Sequence, residues 1–122
     1  EMGLPVFAEM VDTLTVRPKD MARAASGGFI NATDCADYLT KKGLPFRSAY
    51  KISGQLVAQC IREGKVLETL ELSEYQKYSD LFEEDLYNDI DLLTCVEKRI
   101  SEGGTSVSSV EAQIAYVKEN LA

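Results

Sequence analysis

Apolar side chains recur every three or four residues along most of the chain, which is the spacing of one face of an α-helix. The first apolar stripe consists of Leu4, Phe7, Val11 and Leu14. We expect this first helix to start before the printed sequence and to end at Arg17 and Pro18. Pro18 suits the first turn of a second helix, which is expected to run to about Ala25.

The next segment predicts two helices joined by a glycine. Asn31 or Thr33 is expected to cap the third helix, and Gly43 is expected to end it in a left-handed conformation. The buried face of the third helix is predicted to consist of Cys35, Ala36 and Leu39. Pro45 then opens a fourth helix that should continue to Gly64.

One stripe defines the fourth helix, and a glycine lies in its middle. The stripe consists of Phe46, Ala49, Ser53, Leu56, Val57 and Cys60. Gly54 costs about 1 kcal/mol relative to alanine inside a helix. We therefore expect another helix to approach closely at Gly54, and a kink is the alternative.

The remaining chain predicts an extended connection over residues 65–72 and then three more helices. Ser73 and Gln76 have the spacing of a capping box, so a short fifth helix should start there. The stripe of the sixth helix is Leu86, Ile90, Leu93, Val96 and Ile100. The stripe of the last helix is Val107, Val110, Ile114, Val117 and Leu121. The last helix should be capped by Ser106, or by Ser108 with Glu111, and we expect it to pack on its own domain.

The composition is typical of one globular domain, because 45% of the 122 residues are hydrophobic and 27% are charged. No apolar run reaches the roughly 20 residues of a membrane span, and no secretory leader is visible, so we expect a cytoplasmic location. The net charge is -7. The acidic excess falls in residues 67–122, and no basic stripe is present for nucleic acid.

Residue usage also limits the chemistry. Histidine is absent, which removes catalytic triads, Cys-His dyads and histidine metal sites. The three cysteines have no zinc or disulfide spacing, and we expect reduced, buried thiols. The acidic run comprises Glu83, Glu84, Asp85, Asp89 and Asp91. The stretch from Asp85 to Asp91 has neither the Gly nor the Glu that a calcium loop needs, so the run is interpreted as a solvated helix start. The chain begins with Glu1 and not Met, which suggests a piece of a longer protein.

One turn is a candidate anion site. It consists of Gly103, Gly104, Thr105 and Ser106, directly before the last helix. Free backbone amides at a helix start can hold an anion. The turn lacks the strand and the lysine of a P-loop, so a simple chain reversal is the alternative.

Several motifs, in order along nearly the whole chain, resemble the C-terminal domain of argininosuccinate lyase, a member of the fumarase/aspartase-type superfamily. They are Ala-Thr-Asp-Cys-Ala-Asp-Tyr-Leu at 32–39, Lys-Gly-Leu-Pro-Phe-Arg-Ser-Ala-Tyr at 42–50, Phe-Glu-Glu-Asp-Leu-Tyr at 82–87, Val-Glu-Lys-Arg at 96–99 and the Gly-Gly-Thr-Ser turn. One departure is Tyr50, where the family commonly has a histidine.

The resemblance implies an all-α fold, a small orthogonal bundle of about six to seven helices arranged as helix-turn-helix pairs. It implies that residues 1–16 end the family's central helix and that residues 17–122 form the C-terminal domain. The parent enzyme is expected to cleave argininosuccinate to arginine and fumarate, in arginine biosynthesis, as a homotetramer without a cofactor. The family's catalytic serine loop and histidine lie upstream, so no catalytic, substrate-binding or metal residue is expected here.

Within this chain, the corner at residues 43–47 is the candidate site for seating the domain on the catalytic body, with Phe46 as anchor and Arg47 as polar contact. The alternative is that Arg47 pairs with a carboxylate inside the domain. Two other functions stay open: a catalytically silent relative like the lens crystallins of this family, and a free-standing helical interaction module. Alone, the chain is expected to be a monomer or weak dimer.

Overall fold

The computed structural model describes residues 3–120, which contain eight α-helices and no β-strand. The all-α prediction is confirmed. A short 3-10 turn, Leu67–Thr69, follows the fourth helix. The helices are α1 Gly3–Asp12, α2 Pro18–Ser26, α3 Ala32–Lys41, α4 Phe46–Glu63, α5 Leu72–Gln76, α6 Leu86–Ile90, α7 Leu92–Glu97 and α8 Val107–Asn120. In this part of the chain, no helix is both long and apolar enough to cross a bilayer.

The core forms where α3 packs on α4 and is closed by the segment from the 3-10 turn to α6. The predicted buried face of α3 is confirmed. Its central side chains are Cys35, Tyr38, Leu39, Ala49, Leu56, Cys60, Leu67, Tyr75, Phe82, Leu86 and Ile90. Cys95 is also buried, and all three cysteines are free thiols, as predicted. Burial raises the pKa of the Cys35 thiol to about 12, which keeps it protonated and unreactive.

Buried polar groups in this core are paired, as the cost of burying an unpaired donor requires. The Ser53 hydroxyl donates to the carbonyl of Ala32 at 2.6 Å. The Tyr75 hydroxyl donates to the carbonyl of Leu67 at 2.7 Å. These bonds tie α4 to the start of α3, and α5 to the 3-10 turn.

Asn31 corrects the predicted cap of α3. It does occupy the position before the helix, but its side chain makes no capping bond. Its amide donates instead to the carbonyl of Ile90 at 2.9 Å and to Oε1 of Glu68 at 2.8 Å. A bond across 59 residues of sequence has no local signature, which is why a capping rule misassigned it.

Two predictions on α4 are wrong. Phe46 belongs to the predicted stripe, yet its side chain is 51% exposed. Gly54 has no other heavy atom within 4 Å of the position of a Cβ, so no helix approaches it. Ala49, Ser53, Leu56 and Cys60 are buried as predicted. Gly64 ends α4 in the left-handed region, at φ 66°.

The predicted sixth helix is two helices. Asp91 has an extended ψ of 129° and separates α6 from α7. Its carboxylate accepts from the backbone amide of Thr94 at 2.9 Å and so caps α7. Because of this break, the buried face of α7 does not continue the buried face of α6. Cys95 is buried, whereas Leu93 and Ile100 of the predicted stripe are exposed.

The starts of α5 and α8 also differ in part from prediction. Before α5 the cap is Glu71, whose amide donates to Oε2 of Glu74 at 3.1 Å, so the Ser73 and Gln76 box does not form. At α8 the amide of Ser109 donates to Oγ of Ser106 at 3.2 Å, so Ser106 is the cap.

The apolar stripes of the two outer helices, α1 and α8, are exposed within the described residues. The stripe of α8 does not pack on its own domain: Val107, Val110, Ile114 and Val117 are all exposed, and Leu121 lies outside the described residues. Helix α1 ends at Asp12, earlier than expected, and buries no side chain. The amphipathic patterns were right, but their assignment to this domain's core was wrong for α8.

Candidate functional site

The corner at residues 43–47 is built from the end of α3 and the start of α4. Gly43 has φ 98°, the left-handed backbone that was predicted, and the amide of Leu44 donates to the carbonyl of Leu39 at 3.0 Å. Leu44 packs against the core, and Pro45 caps α4. The backbone is therefore fixed on the core and directs the first turn of α4 outward.

Exposed aromatic rings dominate that first turn. The ring centroids of Phe46 and Tyr50 lie 6.0 Å apart, and both side chains are more than half exposed. Single exposed rings are common on protein surfaces, but a neighbouring pair is typical of an interaction site. Tyr50, where the resembling family commonly has a histidine, is thus part of this surface.

Arg47 lies beside this aromatic pair and is exposed. No carboxylate of residues 3–120 comes within 4.0 Å of its guanidinium. The alternative prediction, an ion pair inside the domain, is therefore wrong for the described part of the chain. An exposed guanidinium in the same helical turn as exposed rings is suited to bind a carboxylate or an aromatic group of another surface.

A cluster of polar side chains, called the polar latch below, joins the end of α3 to the segment before α6 and was not predicted from the sequence. We use this name for Tyr38, Lys42, Glu83 and Asp85. The Tyr38 hydroxyl donates to Asp85 and accepts from the backbone amide of Glu83 at 3.1 Å. Lys42 pairs with Glu83 at 2.7 Å and with Asp85 at 3.3 Å, and its ammonium lies 4.7 Å from the Tyr38 ring centroid.

The latch stabilises the charged forms of Asp85 and Lys42. The hydrogen bond from Tyr38 lowers the pKa of Asp85, and the bond to Glu83 raises the pKa of Lys42. Tyr38 and Lys42 are one helical turn apart and face the acidic run. Their spacing and the acidic run are the features of the sequence that could have indicated this cluster. The acidic residues thus hold the segment before α6 against α3, and are not merely a solvated helix start.

A charged cleft of about 190 Å³ lies at the junction of α3, α6 and α7. Its lining residues are Asp34, Asp37, Lys41, Asp89, Lys98 and Arg99. Lys41 and Lys98 both pair with Asp89, and Arg99 pairs with Asp34 at 3.2 Å. Burial would raise the pKa of Asp89, but the hydrogen bonds and charges of Lys98 and Lys41 together outweigh burial, and the pKa is lowered. The charges brace three helices, and no metal-ligating cluster occurs in residues 3–120.

The candidate anion turn is largely occupied by its own backbone. Gly103 has φ 76°. The amide of Gly104 donates to Ser101 at 2.8 Å, and the amide of Ser106 donates to Arg99 at 3.2 Å. A Cβ on Gly104 would collide with the Arg99 carbonyl, so this glycine is required for the chain reversal. Anion binding at Gly103, Gly104, Thr105 and Ser106 stays a prediction with fewer free donors than expected.

The two candidate sites are separate features. Gly103 lines a groove along α8, and neither Phe46 nor Arg47 lines that groove. The described residues thus form a helical domain with an exposed aromatic and cationic corner and no cluster of acid, base and nucleophile.

Comparison with known proteins identifies the family. Residues 29–97 match the family model described as "Argininosuccinate lyase C-terminal", and the chain belongs to this family. Its curated relatives include an argininosuccinate lyase of Clostridium beijerinckii, 47% identical over 121 residues, 99% of this chain and 26% of the relative. An argininosuccinate lyase of Acetivibrio thermocellus is 49% identical over 114 residues, 93% of this chain and 25% of the relative. The chain therefore spans about a quarter of the length of these relatives.

Proposed function

We propose that the chain is the C-terminal, non-catalytic domain of an argininosuccinate lyase. In this proposal residues 17–122 form the domain, and residues 1–16 are the end of the central helix of the parent protein. The parent cleaves argininosuccinate to arginine and fumarate, without a cofactor, as a cytoplasmic homotetramer. The proposal is carried by one observation: nearly the whole of this chain matches about one quarter of the length of each of two argininosuccinate lyases.

The residue content supports a non-catalytic role for this part. Cleavage of a carbon-nitrogen bond needs a base to remove a proton and an acid to assist the leaving group. This chain has no histidine, and its buried thiols and tyrosines are held protonated. Three carboxylates near α6, those of Glu83, Asp85 and Asp89, are paired in the latch and the charged cleft. The domain contributes structure or active-site closure to the parent enzyme.

The corner at residues 43–47 is proposed to set how the domain seats on the catalytic body. A lyase must shield its substrate from water while charge develops, and a peripheral domain that moves as a unit can do this. The fixed backbone of Gly43 and the exposed Phe46, Arg47 and Tyr50 give the domain a rigid contact surface. Phe46 supplies apolar area, and Arg47 supplies directional hydrogen bonds.

Activity measurements test the assignment. The chain of 122 residues alone should release no fumarate from argininosuccinate, whereas the full-length protein should release it. Turnover by the purified chain, in a preparation free of contaminating lyase, would overturn the non-catalytic role. A folded full-length protein with no turnover would favour the silent, crystallin-like relative.

Arg47→Ala tests the seating role. In the full-length enzyme we expect kcat/KM to fall several-fold, with the melting temperature of the isolated chain unchanged, because Arg47 has no partner within residues 3–120. Arg62→Ala is the matched control, since Arg62 is exposed at the other end of α4. If both variants keep wild-type kinetics, or if Arg47→Ala destabilises the isolated chain, the seating role is wrong.

A further inference from the structure

Helix α8 carries an apolar stripe that nothing in residues 3–120 covers. The α8 stripe consists of Val107, Val110, Ile114 and Val117, whose side chains are 41–58% exposed. Glu111, Lys118 and Glu119 lie along one edge of the stripe. Four aliphatic residues aligned over 14 residues are the pattern of a buried helix, yet only Ser109 is buried.

Polar contacts near its start attach α8 to the domain. The Ser106 hydroxyl donates to Oγ of Ser109 at 2.9 Å, and that hydroxyl donates in turn to the Ser101 carbonyl at 3.2 Å. The Gln113 amide donates to the Gly104 carbonyl at 3.0 Å. The helix is thus fixed on one side, and the stripe lies on another.

A groove of about 670 Å³ runs between residues 100–103 and α8. Its apolar lining is Ile100, Ala112, Tyr116 and Val117. Val117 belongs to both the groove and the α8 stripe, so the two form one continuous apolar surface. Ile100 is also strongly exposed at its rim.

Taken alone, the four side chains of the stripe are too few to hold a second copy of the chain. Burying a whole aliphatic side chain yields 1.5–3 kcal/mol at about 25 cal/mol per Å², so four half-exposed ones offer on the order of 200 Å². A stable interface between separate proteins buries about 800 Å² on each partner. A covalently attached partner needs far less area, because its effective concentration is high.

We propose that the α8 stripe and the adjoining groove receive an apolar helix face from the part of the same lyase chain that lies outside these 122 residues. This inference rests on the proposed function. About three quarters of the length of the curated relatives lies outside the matched region, so attached chain is available to cover the stripe. In this proposal the occupant is in the same polypeptide, and it presents apolar side chains opposite Val110, Ile114 and Val117.

Matched lysine substitutions in the full-length protein test this contact. Ile114→Lys places a charge on the stripe, where the partner would bury it. Ala115→Lys is the control, because Ala115 lies off the stripe, four residues from both Glu111 and Glu119. We expect amide hydrogen exchange in α8 to be at least tenfold slower in the full-length protein than in the isolated chain. Ile114→Lys should abolish that protection, and Ala115→Lys should keep it.

Three outcomes would overturn the inference. They are equal exchange of α8 in the isolated and full-length proteins, equal effects of the two substitutions, and a concentration-dependent dimer of the isolated chain that Ile114→Lys dissociates. The last outcome would make a second copy the occupant. Fumarate release is measured on the same full-length protein: an active lyase with an unprotected α8 refutes this contact alone, and an inactive protein with a protected α8 refutes only the lyase assignment.

Discussion

The segment that matches the family and the helices that flank it differ in what they bury. Among residues 3–120, every buried hydrophobic side chain lies between Cys35 and Cys95, inside the matched residues 29–97. Helices α1 and α2 bury no side chain, and α8 buries only Ser109. Yet α1 and α8 have apolar stripes as regular as that of α4. A helical pattern therefore shows that a face is meant to be buried, but not which part of the protein covers it.

Replacing one aliphatic side chain by alanine in the core segment and one in a flanking helix should show this difference most strongly. Leu56 is fully buried in the core, and its replacement by alanine should destabilise the isolated chain by about 2–5 kcal/mol. Ile114→Ala on α8 should change stability by less than about 0.5 kcal/mol, since its side chain is half exposed. Urea unfolding of both variants measures the contrast. Similar losses would show that α8 is already packed within the chain.

Gly43→Val should have the next largest effect. A β-branched residue is strained at φ 98°, so we expect a loss of about 1–3 kcal/mol in the isolated chain. The position is open, with no heavy atom within 4 Å of a Cβ, so the cost is backbone strain and not a clash. An unchanged unfolding midpoint would show that the corner has another conformation in solution.

Gly54→Ala should raise the stability of the isolated chain, whereas Gly43→Val should lower it. It tests the exposed side of α4, within the core segment. Gly54 lies on the outward side of α4, where a Cβ meets open space. Alanine should stabilise the isolated chain by about 1 kcal/mol through helix propensity. The same substitution in the full-length protein shows whether a partner covers this side of α4. A destabilised isolated chain would revive the predicted close approach at Gly54.

The sequence predicted elements that depend on local physics. The face of α3, the left-handed Gly43 and the end of α4 at Gly64 follow from helical spacing and from the conformational freedom of glycine. The break at Asp91 did not follow, because the apolar spacing continues through it. A single capping carboxylate interrupts the helix there.

The candidate site at the corner was chosen from the sequence, but the surroundings of its side chains could not be predicted from it. Phe46 and Arg47 were singled out from the motif, but the exposure of Phe46 and the missing partner of Arg47 depend on the tertiary structure. The latch joins Tyr38 to Asp85 across 47 residues of sequence, a separation that no periodicity encodes. Contacts between distant segments are therefore the part of this fold that pattern reasoning could not supply.

The smallest expected effect compares two aspartates whose paired residues are at different distances along the sequence. Asp20 in α2 pairs only with Arg17 and Arg23, each three residues away. Asp85 joins the segment before α6 to Lys42 and Tyr38 at the end of α3. Ion pairs within one exposed helix add little to folding, whereas a bond between distant segments is lost whenever the chain unfolds.

Asp85→Asn should therefore remove a pH-dependent part of the stability that Asp20→Asn leaves in place. The pKa of Asp85 is lower in the folded state, because Tyr38 donates to its carboxylate and Lys42 pairs with it. The unfolded chain then binds more protons below about pH 5, so this stabilisation is complete above the unfolded pKa of about 3.9 and is lost as pH falls through the folded pKa. Urea midpoints measured from pH 2.5 to 7 should show a gap between wild type and Asp85→Asn that closes in acid. A gap of equal size at every pH would mean that the carboxylate does not titrate with folding, and that the latch contributes through packing alone.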